Sequence, residues 1–253
     1  MNECSIKWIK RADLAGANVI LGIPGIGNVS NLSADYLIKK LNAELICKIE
    51  SIYLPNIALI TPQSTLLLPS YELYLKKIKS RKIVFLKSNY APINEYFNYK
   101  LTDFLSAFLK KQKISQVLTI AGIAYKEMPK TIKLHAATND LRLKKKLEKT
   151  GLIFDGNKSV NLIIGSAGLL LTSCSNFKIP GACILASTFG HPQHLGIKES
   201  REVINFLNNY FDLKIDISDL DKEIKKINAE IKKIELNNKI DEESIQRMSR
   251  YIG

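Results

Sequence analysis

Short apolar runs alternate along the chain with glycine- and proline-bearing turns and with longer segments of helical periodicity. Val19 to Leu21 is apolar and is followed by Gly22, Pro24, Gly25 and Gly27; beyond that turn Leu32, Tyr36, Leu37 and Leu41 form one helical stripe, while Lys39, Lys40 and Asn42 stay polar. Leu45 to Ile49 reads as a strand, so the opening predicts a βαβ unit with a right-handed crossover. Pro55, Pro62 and Pro69 then punctuate short β-rich runs at Ile57 to Ile60, Thr65 to Leu68, Tyr71 to Leu75 and Lys82 to Leu86. Tyr71, Leu73 and Leu75 alternate with Glu72, Tyr74 and Lys76, the pattern of a half-buried strand, and the short connections predict antiparallel pairing within a mixed sheet. Tyr53, Leu54 and Pro55 read as a covered edge or as part of an oligomer contact.

Tyr96, Phe97, Leu101, Phe104, Leu105 and Phe108 place one broad apolar face on a helix over 94–111. Gln116 to Ala121 follows as a largely apolar central strand that Gly122 is expected to end. Thr131 to Ala136 reads as another strand and Asn139 to Lys149 as a charged surface helix. The run VNLIIGSAGLLLTSCSNFKIPGACILAST reads strand, glycine turn, helix, loop, strand, and a helix over 198–209 carries Val203, Ile204 and Leu207 on its apolar side. The alternation of strands and helices predicts an α/β domain over 1–211 with a mixed sheet. From Asp216 to Leu236 the pattern changes: Leu220, Ile224, Ile227, Ile231 and Ile234 step by 4, 3, 4 and 3, the seam of a packing helix. That predicts a helical arm over 212–253, docked on the domain or on a neighbouring subunit, with the last residues mobile.

The glycine turn is the first candidate site. A dinucleotide cradle needs G-x-G-x-x-G before a helix and an acid some way on for the ribose. Gly22, Gly25 and Gly27 instead give G-x-x-G-x-G; Glu50 stands near the place for the acid, but Pro24 and the shifted spacing fit poorly. A structural turn feeding a packed helix is the better reading. If a small-molecule site exists, the loops after Leu21, Ile120 and Ile164 should line it.

The other candidates are weaker. Cys4, Cys47, Cys174 and Cys183 have no C-x-x-C or metal spacing and read as buried apolar residues in a reducing compartment; Cys174 has no assignable base beside it. Ser166 sits in Gly165-Ser166-Ala167-Gly168, which misses G-x-S-x-G, so it reads as a helix N-cap. His135 reads as a satisfied core or pocket histidine. His191, His194 and Glu199 are close in sequence, but a proline loop does not hold two imidazoles as a helix holds H-E-x-x-H. No catalytic residue, cofactor or metal is assigned.

The formal net charge is +13, which raises nucleic acid as a partner. Only six of the 37 basic residues are arginine, the better side chain for bidentate phosphate or base contacts, so the residue choice argues against it. From Asp212 onward nine basic residues face ten acidic ones, so the excess positive charge belongs to the domain, where it would steer an acidic protein partner. The N-terminal MNECSIKWIKRADL lacks the apolar core of a signal peptide, and no apolar run has the length of a membrane span. A cytoplasmic protein is expected.

The segments GIPGIGNVSNLSADYLIKKLNAELICKIES, LPSYELYLKKIKSRKIVFLKSNYAP, QVLTIAGIAYKEMP, HAATNDLRLKKKLEKTG, GSAGLLLTSC and GACILASTFGHPQHLGIKESREVINFL occur in that order. Together they resemble the proteasome assembly chaperone family in its archaeal branch. The resemblance implies a three-layer αβα sandwich of phosphorylase/hydrolase-like fold. It implies a non-enzymatic chaperone that self-associates and binds proteasome α-subunits or α-rings to promote core-particle assembly. In that family an acidic residue often follows the proline before the last domain helix, a pattern from which Gln193 departs. Some archaeal members end in a hydrophobic residue, tyrosine and any residue, a tail that enters pockets between α-subunits. This chain ends Tyr251, Ile252, Gly253, with tyrosine one place early, and these three are the expected partner-binding residues. The alternatives are a small-molecule or nucleotide-binding enzyme of the same fold class and a basic nucleic-acid binder.

Overall fold

A computed structural model describes residues 3–156, 158–222 and 224. The elements lie in the unit that ends at Ile215, where the chain divides. In chain order they are β1 (Cys4–Trp8), β2 (Asn18–Gly22), α1 (Val29–Leu41), β3 (Glu44–Ser51), β4 (Leu59–Ile60), β5 (Leu66–Leu67), β6 (Ser70–Ile78), β7 (Arg81–Lys87), α2 (Glu95–Lys111), β8 (Gln116–Tyr125), β9 (Leu134–Thr138), α3 (Leu141–Glu148), α4 (Ser166–Asn176), β10 (Gly181–Phe189) and α5 (Ile197–Phe211). Eight strands form one sheet in the order β1-β3-β6-β7-β2-β8-β10-β9, and β4 pairs with β5 as a separate hairpin.

The sheet is mixed, as the short connections predict. β7, β2, β8 and β10 run parallel, whereas β1, β3, β6 and β7 pair antiparallel and β9 runs against β10. Burial explains the order. β7 and β10 are apolar on both faces, with Ile83, Val84, Phe85 and Leu86 all buried, and so each has a strand on either side rather than an open edge. α2 and α4 pack on one face over Val19, Leu21, Leu73 and Leu86, while α1 and α5 cover the other through Ala34, Leu37, Val203 and Leu207. The result is the three-layer αβα sandwich expected from the sequence.

Four sequence expectations change in detail. β2 and β3 run the same way, but β7 and β6 stand between them, so the βαβ unit is split. β3 carries Lys48 and Glu50 on one face and tolerates the thinly covered side of the sheet, leaving the place beside β2 to the fully apolar β7. The buried stripe of α1 is Ser30, Ser33, Ala34, Leu37 and Leu41, whereas Leu32 and Tyr36 are only half-buried. Small residues win that face because the helix crosses close to β2. Gly122 does not end β8, which continues to Tyr125. Val160 to Ile164 makes no ladder: the outer edge of β9 is taken by Ile153, whose carbonyl accepts from Ala136 N at 2.8 Å and whose N–H donates to Leu134 O at 3.0 Å. Of the two readings of Tyr53 and Leu54 the covered one holds, since both are buried and the Tyr53 ring lies 5.2 Å from Phe97. Among the described residues no helix is long and apolar enough to cross a membrane.

Candidate functional site

The glycine turn is shaped by close backbone approach. A Cβ on Gly22 would stand 2.4 Å from the Ala34 Cβ, and one on Gly27, whose φ is 63°, would meet Thr188 Oγ1 at 2.9 Å. Gly122 provides the floor, since a Cβ there would lie 2.6 Å from the Ile26 carbonyl oxygen. Ser30 ties the turn to its own strand: its Oγ donates to Leu21 O at 2.9 Å and accepts from Ile23 N at 3.2 Å. The turn thus lies directly on β8 and β10. The space that a pyrophosphate would need above these strands at Gly122 holds the Ile26 backbone.

Beneath the turn is a buried polar cluster. Thr188 Oγ1 donates to Glu199 Oε1 at 2.7 Å, His194 Nε2 lies 2.9 Å from the same oxygen, and Gly196 N donates to Gly27 O at 2.7 Å. Glu199 is 1% exposed. The cluster locks the first turn of α5 to the glycine turn, and Glu199 is satisfied there as a structural acid. His191 stacks on Phe189 at 5.7 Å and His194 meets the same ring edge-on at 5.8 Å, so both imidazoles pack on one aromatic ring and His194 is the one that reaches Glu199.

An apolar cleft of about 410 Å³ opens beside the turn at the carboxyl ends of β2, β8 and β10. Its walls come from the turn (Ile23, Ile26), the second half of β8 and the segment Leu162 to Gly165, the loops expected to line a site. Among the described residues, none of its lining side chains is ionisable. Its polar side chains are Asn98 and Ser166, and the Ser166 hydroxyl donates to Asn98 Oδ1 at 2.6 Å. Ser166 is therefore not the N-cap of α4: Gly165, at φ 87°, takes that place, and the hydroxyl is spent tying α4 to α2.

The other candidate groups lie away from the cleft mouth or are chemically quiet. Burial pushes the Cys174 and Cys183 thiols up to about 12 and Cys47 to about 11, where little nucleophilic thiolate exists at neutral pH. His135 is buried with its Nδ1 3.4 Å from Asp155 Oδ2, an ion-pair distance too long for a formed hydrogen bond. Among the described residues no three His, Cys, Asp or Glu side chains converge to hold a metal.

Large apolar side chains are instead exposed at this same end of the unit. Ile164 is 87% exposed, Leu162 and Ile26 are exposed with it on the cleft lining, and exposed Tyr125 ends β8. The β4–β5 hairpin lies in the connection from β3 to β6, which joins these strands at the same end. It presents Ile60 at 78% and Leu66 at 69% exposure. Sequence reading missed this surface, although Ser51 to Tyr71 contains no charged residue in a chain of which 24% is charged. Tyr251, Ile252, Gly253 and the seam residues Ile227, Ile231 and Ile234 lie outside the described residues.

Fold and site define a three-layer α/β protein whose strand ends carry an apolar cleft and an uncharged hairpin. Residues 19–235 match the PAC2 family, and the chain belongs to that family. It is 28% identical over 182 residues to MJ1210, an uncharacterized protein of Methanocaldococcus jannaschii, covering 70% of this chain and 68% of that one. It is similar in structure to Pyrococcus furiosus PbaB, an archaeal proteasome activator, with a TM-score of 0.84, 23% identity and coverage of 93% of this chain and 100% of the other. It is also similar to Pyrococcus furiosus PbaA, an archaeal homolog of proteasome-assembly chaperone, with a TM-score of 0.73, 20% identity and 98% of each chain covered.

Proposed function

We propose that this PAC2-family chain is a non-enzymatic assembly chaperone of the cytoplasm that binds proteasome α-subunits or α-rings and promotes core-particle assembly. Residues 1–211 serve as the scaffold domain and 212–253 as an arm that carries Tyr251, Ile252 and Gly253 to the partner. The protein works as a homo-oligomer. The observation that carries this reading is the sheet's carboxyl end, the usual ligand end of α/β folds, where among the described residues no ionisable side chain lines the cleft and exposed apolar ones surround it. Such a surface suits contact between proteins, first of all between copies of this chain, better than chemistry, while the domain's excess of lysine suits the α-subunit partner. Family membership and the likeness to PbaA support the chaperone role.

The test is a pull-down of purified α-subunits by the full chain, followed by native separation of α-subunits and β-subunits mixed with and without it. The reading expects capture of α-subunits and faster appearance of core particles. Absence of both, together with thermal stabilisation by a nucleotide or nucleoside, would replace it with the enzyme alternative. The likeness to PbaB favours a second reading, activation of core particles already formed. Faster peptide hydrolysis by preassembled particles, with unchanged assembly, would select it.

A further inference from the structure

The hairpin and the cleft are opposite shapes of the same chemistry on one chain. The turn Thr61-Pro62-Gln63-Ser64-Thr65 is firmly built: Thr61 N donates to Thr65 O at 2.9 Å and the two threonine hydroxyls meet at 2.7 Å. Yet the hairpin makes no ladder with the main sheet. Successive strand residues point to opposite faces, and Leu66 and Leu67 are both exposed, so both faces of the hairpin are bare. A lone two-stranded hairpin of this kind needs a cover.

We propose that the cover is a second copy of this chain, and that the β4–β5 hairpin of one copy seats Ile60 and Leu66 in the apolar cleft of the other, against Ile26, Leu162 and Ile164. The inference rests on the homo-oligomer part of the function proposed above and names its surface. Charge chooses the occupant. One chain carries both the apolar projection and the apolar cleft, and two copies at +13 meet at least cost where the facing surfaces add no close like-charge pairs: the Ser51 to Tyr71 segment carries no charged residue, nor do the described residues of the cleft lining. An acidic partner would gain nothing from these surfaces and would be drawn to the lysine-bearing ones.

The experiment measures the mass of the full chain by sedimentation velocity over a concentration series. It compares wild type with the double variant Ile60→Asp/Leu66→Asp and with Ile164→Asp, all changes at exposed positions that leave the core intact. The wild type is expected to associate, and each variant to associate roughly 30-fold or more weakly. An equimolar mixture of the two variants should recover pairing, because an intact hairpin then meets an intact cleft. As an independent readout, Ile60→Cys and Ile164→Cys chains should form a disulfide dimer when mixed, beyond what either forms alone or the wild type forms through Cys4. Wild type that stays monomeric would defeat the oligomer reading itself. An oligomer undiminished in both variants would leave that reading standing and defeat this one. A mixture that stays monomeric would show like-to-like contacts and overturn the hairpin-in-cleft arrangement.

Discussion

At the scale of single residues, the glycines separate packing from ligand chemistry. Gly22 and Gly122 have no room for a methyl group, whereas a Cβ on Gly25 would meet nothing within 4 Å. Gly122→Ala should therefore destabilise the fold by about 2 kcal/mol, as forced overpacking does, and Gly25→Ala should leave the urea midpoint nearly unchanged. The spacing of Gly22, Gly25 and Gly27 was legible as a turn, but Thr188 and Glu199 were not, because they approach it from distant stretches of chain. Removing the acid tests that cluster: Glu199→Ala leaves His194 and Thr188 without their shared acceptor and should cost about 3 kcal/mol, with Glu199→Gln recovering part of it. The thiols give a pH prediction. Burial raises Cys47 to about 11 and Cys174 and Cys183 to about 12 from 9.0, so the folded state holds their protons longer than the unfolded one. Stability from this source is complete below the unfolded value and falls as pH rises from about 9 toward 12. Urea midpoints measured across that range should decline, and a thiol reagent at neutral pH should leave these three cysteines unmodified until the protein unfolds.

At the scale of elements, periodicity identified most strands and helices and failed where tertiary contact decides. The stripe of α1 was read from its largest side chains, but the helix presents Ser30, Ser33 and Ala34 because the backbone of β2 at Gly22 lies so close. β1 went unread: its alternation is short, its exposed face carries Lys7, and its pairing with β3 is a contact across some forty residues, including the Lys7–Glu50 ion pair at 2.7 Å. β7 and β3 look alike in length, yet only β7 is apolar on both faces, a difference visible in the sequence that could have placed it beside β2. Caps were less readable: Ser166, expected to be one, yields that place at α4 to Gly165. Asn94 accepts from Phe97 N at 2.9 Å and starts α2, the helix whose Phe97 holds Tyr53. Asn94→Ala should cost about 1 kcal/mol and Asn94→Asp nearly nothing, read as shifts in thermal midpoint.

At the scale of the whole molecule, two kinds of surface have different physics. The family was legible because several segments keep their order along the chain; the docking end was not, because exposure is a property of the folded unit and the hairpin's leucines look like core residues in sequence. The domain carries the excess positive charge, while Ser51 to Tyr71 and the cleft lining are uncharged. Partner binding steered by lysines is screened by salt, with a Debye length that shrinks from about 30 Å at 0.01 M to about 3 Å at 1 M. Apolar burial is not screened, and sulfate strengthens it. Raising ionic strength should therefore weaken the pull-down of α-subunits while leaving self-association equal or tighter, with sodium sulfate more effective than sodium chloride in the second case. Both are read on the same full chain, one by captured α-subunit and the other by mass. The opposite slopes follow only if partner and second copy use different surfaces. Parallel slopes would mean that one surface serves both, and the Ile60→Asp/Leu66→Asp variant would then lose α-subunit binding together with its own assembly.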